Sequence, residues 1–199
     1  PTVGCKSYLT NKVDRSVSGL VVQQQCVGPY QLPLSNYSIV ADILSPTSYS
    51  GTITAIGEGS ITAFINSDNG YSNLAERVIV EMLTNMSGCQ LELSGIRGSA
   101  NWMWSPKNDK YEAYAMYQAM ETLSSMCIDF GFAIDGGKDS LSMVVNHNDI
   151  TIKGPGSLVL TFYAPVPDIN QRVSPLVSST SSKLYHIDFL SQVNQLFGL

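Results

Sequence analysis

Residues 37–56, YSIVADILSPTSYSGTITAI, contain two strand-like segments separated by only a short turn. Residues 37–44 form the apolar run typical of a buried strand. Residues 51–56 alternate polar and apolar side chains, and their threonines favour a strand. The Ser- and Pro-containing residues 45–50 between them predict a turn. Two strands that follow each other without an intervening helix indicate an α+β or mixed fold rather than a simple doubly wound sheet.

Two later segments have the spacing of amphipathic helices. Residues 69–87 and residues 111–130 each carry apolar side chains that recur every four positions, which places those side chains on one helix face. In the first segment these are Leu74, Val78, Met82 and Met86. Further strands are predicted at residues 91–104, 140–146 and 157–164.

Composition narrows the class of protein. The chain of 199 residues has a net charge of −5 and a pI near 4.8, which argues against a nucleic-acid binder, since such proteins usually carry a basic patch. Only 14% of residues are charged, well below the usual quarter, so we expect another domain or subunit to cover part of the surface. Four cysteines without a CxxC pair predict reduced thiols in a cytoplasmic protein.

The end of the chain has the composition of a linker. Residues 178–182, SSTSS, are followed at residues 183–190 by a segment that predicts a new strand. We therefore place one domain at residues 1–176, and assign residues 177–199 to a linker and the first strand of a following, truncated domain. Because the chain begins at Pro1 instead of a methionine, we expect it to be a piece of a longer protein.

Arg77, Glu81 and Asn85 are spaced four residues apart in the first helix, so they share one face beside the apolar stripe. One interpretation is a solvated edge with an Arg77–Glu81 pair, worth a few tenths of a kcal/mol. The other is a pair of oxygen ligands at the rim of a cleft, because Mg²⁺ binds such oxygens together with phosphate.

Residues 135–143, DGGKDSLSM, concentrate polar chemistry between two apolar runs. The segment lacks the GxxxxGK[ST] spacing of a P-loop, but its glycines would let backbone N–H groups approach an anion. Lys138 could neutralise phosphate charge, and Ser140 and Ser142 could donate hydrogen bonds. The alternative interpretation is a glycine turn with a surface lysine.

Four blocks of sequence point to one family. They are LTNKVDRSVSGLVVQQQCVGPYQLPLSNYSIVA at residues 9–41, SANWMW at 99–104, AIDGGKDSLSM at 133–143 and KGPGSLVLTFYAPVPDI at 153–169. Together they closely resemble the phosphoribosylformylglycinamidine synthase family, the glutamine-dependent amidotransferases of purine synthesis. The resemblance covers about residues 8–176 and is to the second of the two homologous synthetase halves of the large enzyme.

The resemblance implies both an activity and a fold. In such enzymes ATP activates the amide oxygen of formylglycinamide ribonucleotide, and ammonia from glutamine replaces that oxygen to give the amidine. The implied fold is that of the N-terminal domain of aminoimidazole ribonucleotide synthetase, an α+β domain whose four-stranded mixed sheet is backed by helices. There the sheet forms half of a barrel that a homologous domain completes, which would account for the low charge.

The resemblance also implies a site that holds a magnesium-bound nucleotide, ATP or ADP, more structurally than catalytically. Its metal ligands fall on Glu81, Asn85 and Asn36. The family has an aspartate in a P-L-A-D context at the third position, so Asn36 supplies an oxygen without negative charge and should weaken Mg²⁺ binding. The implied nucleotide contacts fall on four residues: Ser35, which replaces the alanine of that context, Lys138, Asp139 and Ser140.

The implied partners are the homologous first synthetase half and the glutaminase domain of the parent protein, with no nucleic acid and no membrane. We expect the chain to be inactive alone, because both partners are needed for the reaction. The alternative is a non-catalytic relative that acts as a protein-binding scaffold, which Asn36 favours slightly. A third option is another synthetase of the same fold that acts on a different phosphate-activated substrate.

Overall fold

The computed structural model describes residues 9, 15, 18–43, 47–60, 70–91, 93–107, 109–174, 176–177, 179 and 181–186. Within them, a six-stranded mixed sheet carries two long helices on one face. The strands are β1 Val21–Gln23, β2 Cys26–Val27, β3 Leu32–Pro33, β4 Tyr37–Ala41, β5 Gly51–Ser60, β6 Arg97–Met103, β7 Ala133–Ser140, β8 Val144–His147, β9 Ile150–Lys153 and β10 Ser157–Val166. The helices are α1 Gly70–Met86 and α2 Lys110–Phe130, with a 3₁₀ turn at Leu93–Gly95.

The large sheet has the strand order β1-β4-β5-β10-β6-β7. The pairing between β6 and β7 is parallel, whereas the other four pairings are antiparallel. Strands β2 and β3 form one separate two-stranded ribbon, and β8 and β9 form another. The predicted α+β class with a mixed sheet is therefore confirmed.

The expectation of four strands is wrong, because one further strand joins each edge of the sheet. The strand β1 pairs with β4 at one edge, and β7 pairs with β6 at the other. The strand predicted at residues 140–146 is also misplaced, since Ser140 ends β7 and β8 begins at Val144. Residues 135–140 lie in a strand instead of a turn, because β6 supplies partners for their backbone groups.

One face of the sheet and the apolar stripes of both helices form a single core. Along β10, side chains alternate between buried and less buried, as expected for a strand with one face against helices. Leu158, Leu160 and Phe162 are completely buried there, and α1 covers them with Val78 and Met82 among others. Each large apolar side chain buried in this way contributes roughly 1.5–3 kcal/mol.

The helix α1 lies unusually close to β5 at Gly57. A Cβ atom added at Gly57 would lie 2.1 Å from the Val78 carbonyl oxygen and 2.9 Å from the Met82 nitrogen. The missing side chain thus lets the helix backbone approach the strand backbone directly. This contact fixes the distance between α1 and the sheet.

Asp109 begins the helix α2. Its side chain accepts hydrogen bonds from the backbone N–H groups of Tyr111, at 3.0 Å, and Glu112, at 3.2 Å, as an N-cap does. Lys153 of β9 forms a salt bridge with the same carboxylate. The helix ends at Gly131, whose φ of 74° is the left-handed conformation that glycine adopts readily.

The second face of the sheet has no described helix over it. It carries half-buried and exposed side chains of mixed polarity, and Ile56 and Tyr163 are 49% and 39% exposed there. This face also includes Thr52, Thr54, Glu58, Arg97, Ser99, Asn101, Val159 and Thr161. The predicted half-barrel would use this face, and that pairing stays a prediction.

The tail of the chain is described only in part. Residues 183–186 have no regular secondary structure, and residues 187–190 of the predicted strand lie outside the described residues. The domain boundary near residue 176 stays a prediction. Among the described helices, none combines the length and the apolar character needed to cross a membrane.

The contact at Gly57 predicts a large effect of one methyl group. We expect Gly57→Ala to lower the free energy of unfolding by about 2 kcal/mol or more, because the helix backbone cannot move aside locally. Gly136→Ala is the matched control, since a Cβ there meets nothing nearer than 4.0 Å. Its effect should stay within about 1 kcal/mol. Equal urea midpoints for the two variants would contradict the close contact.

The Asp109–Lys153 pair predicts a pH dependence. The hydrogen bond from Lys153, and then the bond from the Glu112 backbone, hold the pKa of Asp109 below its usual value. A depressed pKa in the folded state stabilises the protein above the unfolded-state pKa of about 3.9, and this stabilisation is lost as the pH falls further. Asp109→Asn, which keeps a capping oxygen, should therefore be less stable than the original chain at pH 7 and equally stable near pH 2.

Urea midpoints measured between pH 2 and 7 test this dependence. Glu76→Gln removes an exposed carboxylate from α1 and serves as the control, for which we expect a profile parallel to that of the original chain. A stability difference for Asp109→Asn that does not change with pH would contradict the assigned role of the ion pair.

Candidate functional site

Glu81 and Asn85 of α1 both bind the backbone of β5. The Glu81 Oε2 atom accepts a hydrogen bond from the Glu58 N–H at 3.0 Å, and the Asn85 Nδ2 atom donates to the Ile56 carbonyl at 2.9 Å. The pairing of β4 with β5 ends at Ala55, which lies opposite Tyr37, the first residue of β4. Ile56 and Glu58 come after Ala55 in β5 and therefore have no partner in β4. The two side chains therefore satisfy the part of the β5 edge that β4 leaves open.

These hydrogen bonds leave oxygen atoms available on both side chains. A carbonyl oxygen can only accept, so the Ile56 contact requires the Asn85 nitrogen and turns its Oδ1 atom elsewhere. Glu81 likewise uses Oε2 for the strand and retains Oε1. The interpretation of this face as only a solvated edge is incomplete, because both side chains tie the helix to the sheet.

Asn85 also lines a depression of about 220 Å³ together with Ser35 and Asn36. Four parts of the chain meet there: the end of β1, the loop that leads into β4, the last turn of α1 with the residues just after it, and residues 173–174. The remaining lining residues are Gln23, Leu34, Tyr37, Thr84, Ser87, Gly88, Val173 and Ser174. The structure thus brings three of the predicted site residues to one cavity, and Glu81 lies one helical turn from Asn85.

Tyr37 forms one wall of this depression. Its ring lies against Gly88, where an added Cβ would be 2.3 Å from a ring carbon. Its hydroxyl donates to the Val173 carbonyl, and the Val173 N–H donates to the Gly88 carbonyl at 2.7 Å. Burial raises the pKa of Tyr37, and the Gln23 side chain partly offsets that rise. The phenol is therefore a neutral structural group at neutral pH.

The structure does not bring Lys138, Asp139 and Ser140 to this depression. They lie on β7, which is three inter-strand spacings from β5, or about 14 Å. Lys138 pairs with Asn101 and shares its open face of the sheet, where the Lys138 Nζ atom donates to Ser140 Oγ at 3.0 Å. Within this chain, the two predicted groups of site residues are separate.

Asp139 lies on the opposite face of β7 from Lys138. It borders a second depression of about 550 Å³ between β7 and α2. Apolar side chains dominate its lining, including Trp102, Met120 and Cys127. Burial raises the pKa of the Cys127 thiol, so it is protonated at neutral pH.

Strand packing explains one of the two adjacent glycines. A Cβ on Gly137 would lie 2.1 Å from the Ala100 carbonyl oxygen, so a larger residue there would separate β7 from β6. Gly136 has open space, since a Cβ there would meet only Ser99 at 4.0 Å. Close packing of β7 on β6 therefore explains the glycine at position 137 without an anion. It does not explain the glycine at position 136.

Two residues near the site were not singled out from the sequence. Gln23 is only 6% exposed, and its side chain joins Ser35 to Arg172, which is 149 residues away. The run of three glutamines inside an apolar segment was the available signal, because a buried amide needs partners. Arg172 gave no signal, since its partner is so distant in sequence.

The oxygen donors fit a hard divalent cation only modestly. Glu81 supplies one negative charge, and Asn85 and Asn36 supply neutral amide oxygens. Across the described part of the chain, no three His, Cys, Asp or Glu side chains group together as metal ligands. Any Mg²⁺ site built from these residues depends on further oxygens, such as those of a phosphate.

Comparison with known proteins gives one consistent family. A family model described as the FGAR-AT PurM_N-like domain matches residues 5–165. A Homo sapiens protein named phosphoribosylformylglycinamidine synthase is 44% identical over 177 residues, which cover 88% of this chain and 13% of that protein. The Drosophila melanogaster protein of the same name is 41% identical over 174 residues, 87% of this chain and 12% of that protein.

A third relative, from Arabidopsis thaliana, is named probable phosphoribosylformylglycinamidine synthase, chloroplastic/mitochondrial. It is 38% identical over 201 residues, 100% of this chain and 14% of that protein. The chain thus spans 12% to 14% of the length of these three relatives. Their names do not favour the alternative of a non-catalytic scaffold.

Solved structures agree on the fold. The structure of PurLQS from Thermotoga maritima matches with a TM-score of 0.55 and 16% identity, over 82% of this chain and 24% of that chain. The structure titled T. maritima PurL complexed with ADP matches with a TM-score of 0.50 and 15% identity, over 71% of this chain and 21% of that chain.

The Asn85 hydrogen bond predicts a charge-specific effect. Asn85→Asp places a carboxylate against the Ile56 carbonyl oxygen, so we expect unfolding at pH 7 to become easier by about 1–3 kcal/mol. Because this contact raises the pKa of the new carboxyl, stability should return as the pH falls and the group becomes a donor. Asn146→Asp is the control, since Asn146 Oδ1 already accepts from Thr151 at 2.8 Å. Identical losses in both variants would exclude this explanation.

Proposed function

The chain belongs to the FGAR-AT PurM_N-like domain family, and on that premise we propose that it is one synthetase domain of a phosphoribosylformylglycinamidine synthase. Such a protein is a ligase of purine biosynthesis. The whole protein would convert formylglycinamide ribonucleotide to the amidine with ATP, and with ammonia released from glutamine. This domain would hold a magnesium-bound nucleotide and help to complete a barrel.

The juxtaposition of Ser35, Asn36 and Asn85 around one cavity carries the proposal. Asn36 and Asn85 offer amide oxygens there, and Glu81 is fixed one helical turn away by the Glu58 N–H. The Ser35 hydroxyl donates to the Tyr37 carbonyl at 2.6 Å, so it would have to leave that acceptor to donate to a phosphate oxygen. This set comes from two distant segments of the chain, and it matches the ligand set that the family resemblance implies.

Adenine nucleotide is the proposed ligand. The solved neighbour with ADP has this fold, which supports placing ADP or ATP in the same class of site here. When bound, Mg²⁺ would supply positive charge that neutralises the phosphates. Glu81, Asn85 and Asn36 would hold the ion, and the hydrogen bonds of Glu81 and Asn85 to β5 would limit their side-chain motion before it binds.

A single carboxylate makes a weak magnesium site, so we propose that the nucleotide here supports the structure more than it reacts. No described side chain near the cavity is placed as a catalytic acid or base. Burial raises the pKa of Tyr37, so its phenol stays neutral, and the hydroxyl donates a hydrogen bond to the Val173 carbonyl. The residues around the cavity bind and orient, and the reaction itself would require the rest of the protein.

The uncovered face of the sheet is the proposed contact with the homologous first synthetase half. Lys138 lies on this face beside Asn101, so a sister sheet packed there would face its ammonium group. On this proposal Lys138 and Ser140 contact nucleotide only in the assembled protein, whose remaining length also provides the glutaminase domain. Asp139 lies on the opposite face of β7 and would not share that contact. Cytoplasmic location stays a prediction, since one relative carries a chloroplastic/mitochondrial name.

The charge at position 36 tests the proposed ligand set. We expect Asn36→Asp to tighten the binding of Mg²⁺-ADP to this chain by about fivefold, or roughly 1 kcal/mol, because a second carboxylate joins the site. Glu81→Gln keeps an oxygen for the Glu58 N–H but removes the charge, so it should weaken binding below detection. Titration calorimetry with and without Mg²⁺ measures both changes.

Asn146→Asp is the matched control, because it adds the same charge on the β8–β9 ribbon. Its affinity for Mg²⁺-ADP should equal that of the original chain. If Asn36→Asp and Asn146→Asp bind Mg²⁺-ADP equally well, the metal assignment fails. If Glu81→Gln binds as tightly as the original chain, Glu81 has only the structural role that its hydrogen bond shows.

A further inference from the structure

We propose that Arg172 is a positioning residue for the loop that carries Ser35 and Asn36, and that it acts through the buried side chain of Gln23. The proposal rests on the proposed function for its consequence on nucleotide binding. Its structural content is independent of that function: a hydrogen-bonded relay joins residues after the last strand of the sheet to the loop before β4.

Gln23 uses both ends of its side chain. The Arg172 Nε atom donates to Gln23 Oε1 at 3.2 Å, and Gln23 Nε2 donates to Ser35 Oγ at 3.0 Å. The guanidinium can only donate, so it fixes which end of the amide faces Arg172. The other end must then be the nitrogen, which faces Ser35.

The relay continues into the loop backbone. The Ser35 Oγ atom accepts a hydrogen bond from Gln23 and donates one to the Tyr37 carbonyl at 2.6 Å. The Ser35 N–H also donates to the Gln25 carbonyl at 3.2 Å, which ties the loop to the segment that follows β1. Asn36 lies between the two tied residues, so its position follows from theirs.

Arg172 is itself anchored. Its Nη1 atom donates to the Ile169 carbonyl at 2.9 Å, and its backbone forms an isolated bridge with Cys89. The Ile169 N–H donates to the Tyr49 carbonyl at 2.8 Å. The guanidinium therefore extends from a segment that is held both at Cys89, just after α1, and at Tyr49, just before β5.

The expected effect of removing Arg172 follows from the order of donors and acceptors, in which Arg172 donates to Gln23 and Gln23 donates to Ser35. Gln23 is 6% exposed, so loss of the guanidinium leaves a buried amide oxygen without its donor. A buried amide whose oxygen has no donor lowers its free energy by rotating toward other partners. This rotation moves the Gln23 nitrogen away from Ser35. The loop then loses its fixed hydroxyl although no atom of the loop has been changed.

Hydrogen exchange at the Ser35 amide tests the relay in the full chain. We expect Arg172→Met to speed this exchange about tenfold, since one hydrogen bond of about 1.4 kcal/mol corresponds to that factor. Gln23→Met should give the same increase. The double variant should exchange no faster than either single variant, because both remove the same connection.

Arg97→Met is the matched control, since Arg97 is also half-buried and donates to the backbone carbonyls of Ser94 and Ile96. It should leave the Ser35 amide unchanged. The Leu160 amide in the central strand β10 reports global opening and should stay protected in every variant. Should Arg172→Met fail to fold, Gln23→Asn replaces it, because the shorter amide cannot reach both partners.

An unchanged Ser35 exchange rate in the Arg172 or Gln23 variants would overturn the proposal. So would a double variant whose increase in exchange rate is the product of the two single increases. Calorimetry of the same variants with Mg²⁺-ADP separates the two hypotheses. If the relay and the proposed function both hold, the variants that loosen the loop also bind Mg²⁺-ADP less tightly. If neither the original chain nor any variant binds Mg²⁺-ADP, the proposed function fails. The exchange rates then still test whether Arg172 positions the loop through Gln23.

Discussion

The contact of α1 with β5 at Gly57 is the constraint on which the candidate site depends. With no side chain at that position, Val78 and Met82 place the helix backbone directly on the strand. At this separation the next turn of the helix can reach the strand edge, so Glu81 and Asn85 bind its backbone. A helix held farther away would lose both hydrogen bonds, and the oxygen atoms beside the cavity would lose their fixed positions.

The same tethering limits what the site can do. Side chains that are already fixed lose little conformational entropy when a ligand binds, which favours binding. Glu81 and Asn85 each use one polar atom in a hydrogen bond to β5, and Asn36 adds no charge. A rigid set of oxygens with one negative charge suits a ligand that brings its own oxygens and charge, such as a nucleotide phosphate with its cation.

The sequence predicted those parts of the fold that local patterns determine. The four-residue stripe of α1 depends on neighbours along the chain, so that helix was found within one residue of each observed end, and β10 was found within two. The strand β5 was predicted only as far as Ile56, although it continues to Ser60. The strand β7 was missed because its polar, glycine-containing sequence is held by β6, which a local pattern cannot show. Gln23 and Arg172 were missed for the same reason, since 149 residues separate them.

Of the predicted site, the helix spacing placed Glu81 and Asn85 on one face, whereas Lys138 could not be placed without the strand order. That order puts β7 at the edge of the sheet, about 14 Å from β5. A single sheet therefore cannot bring Lys138 and Glu81 to one phosphate group. On the proposed assembly the two need not meet in this chain, because a sister sheet over the open face would place its own residues opposite Lys138. The separation seen here is then a reason to look for the nucleotide between halves of the protein, with each half supplying part of the charge.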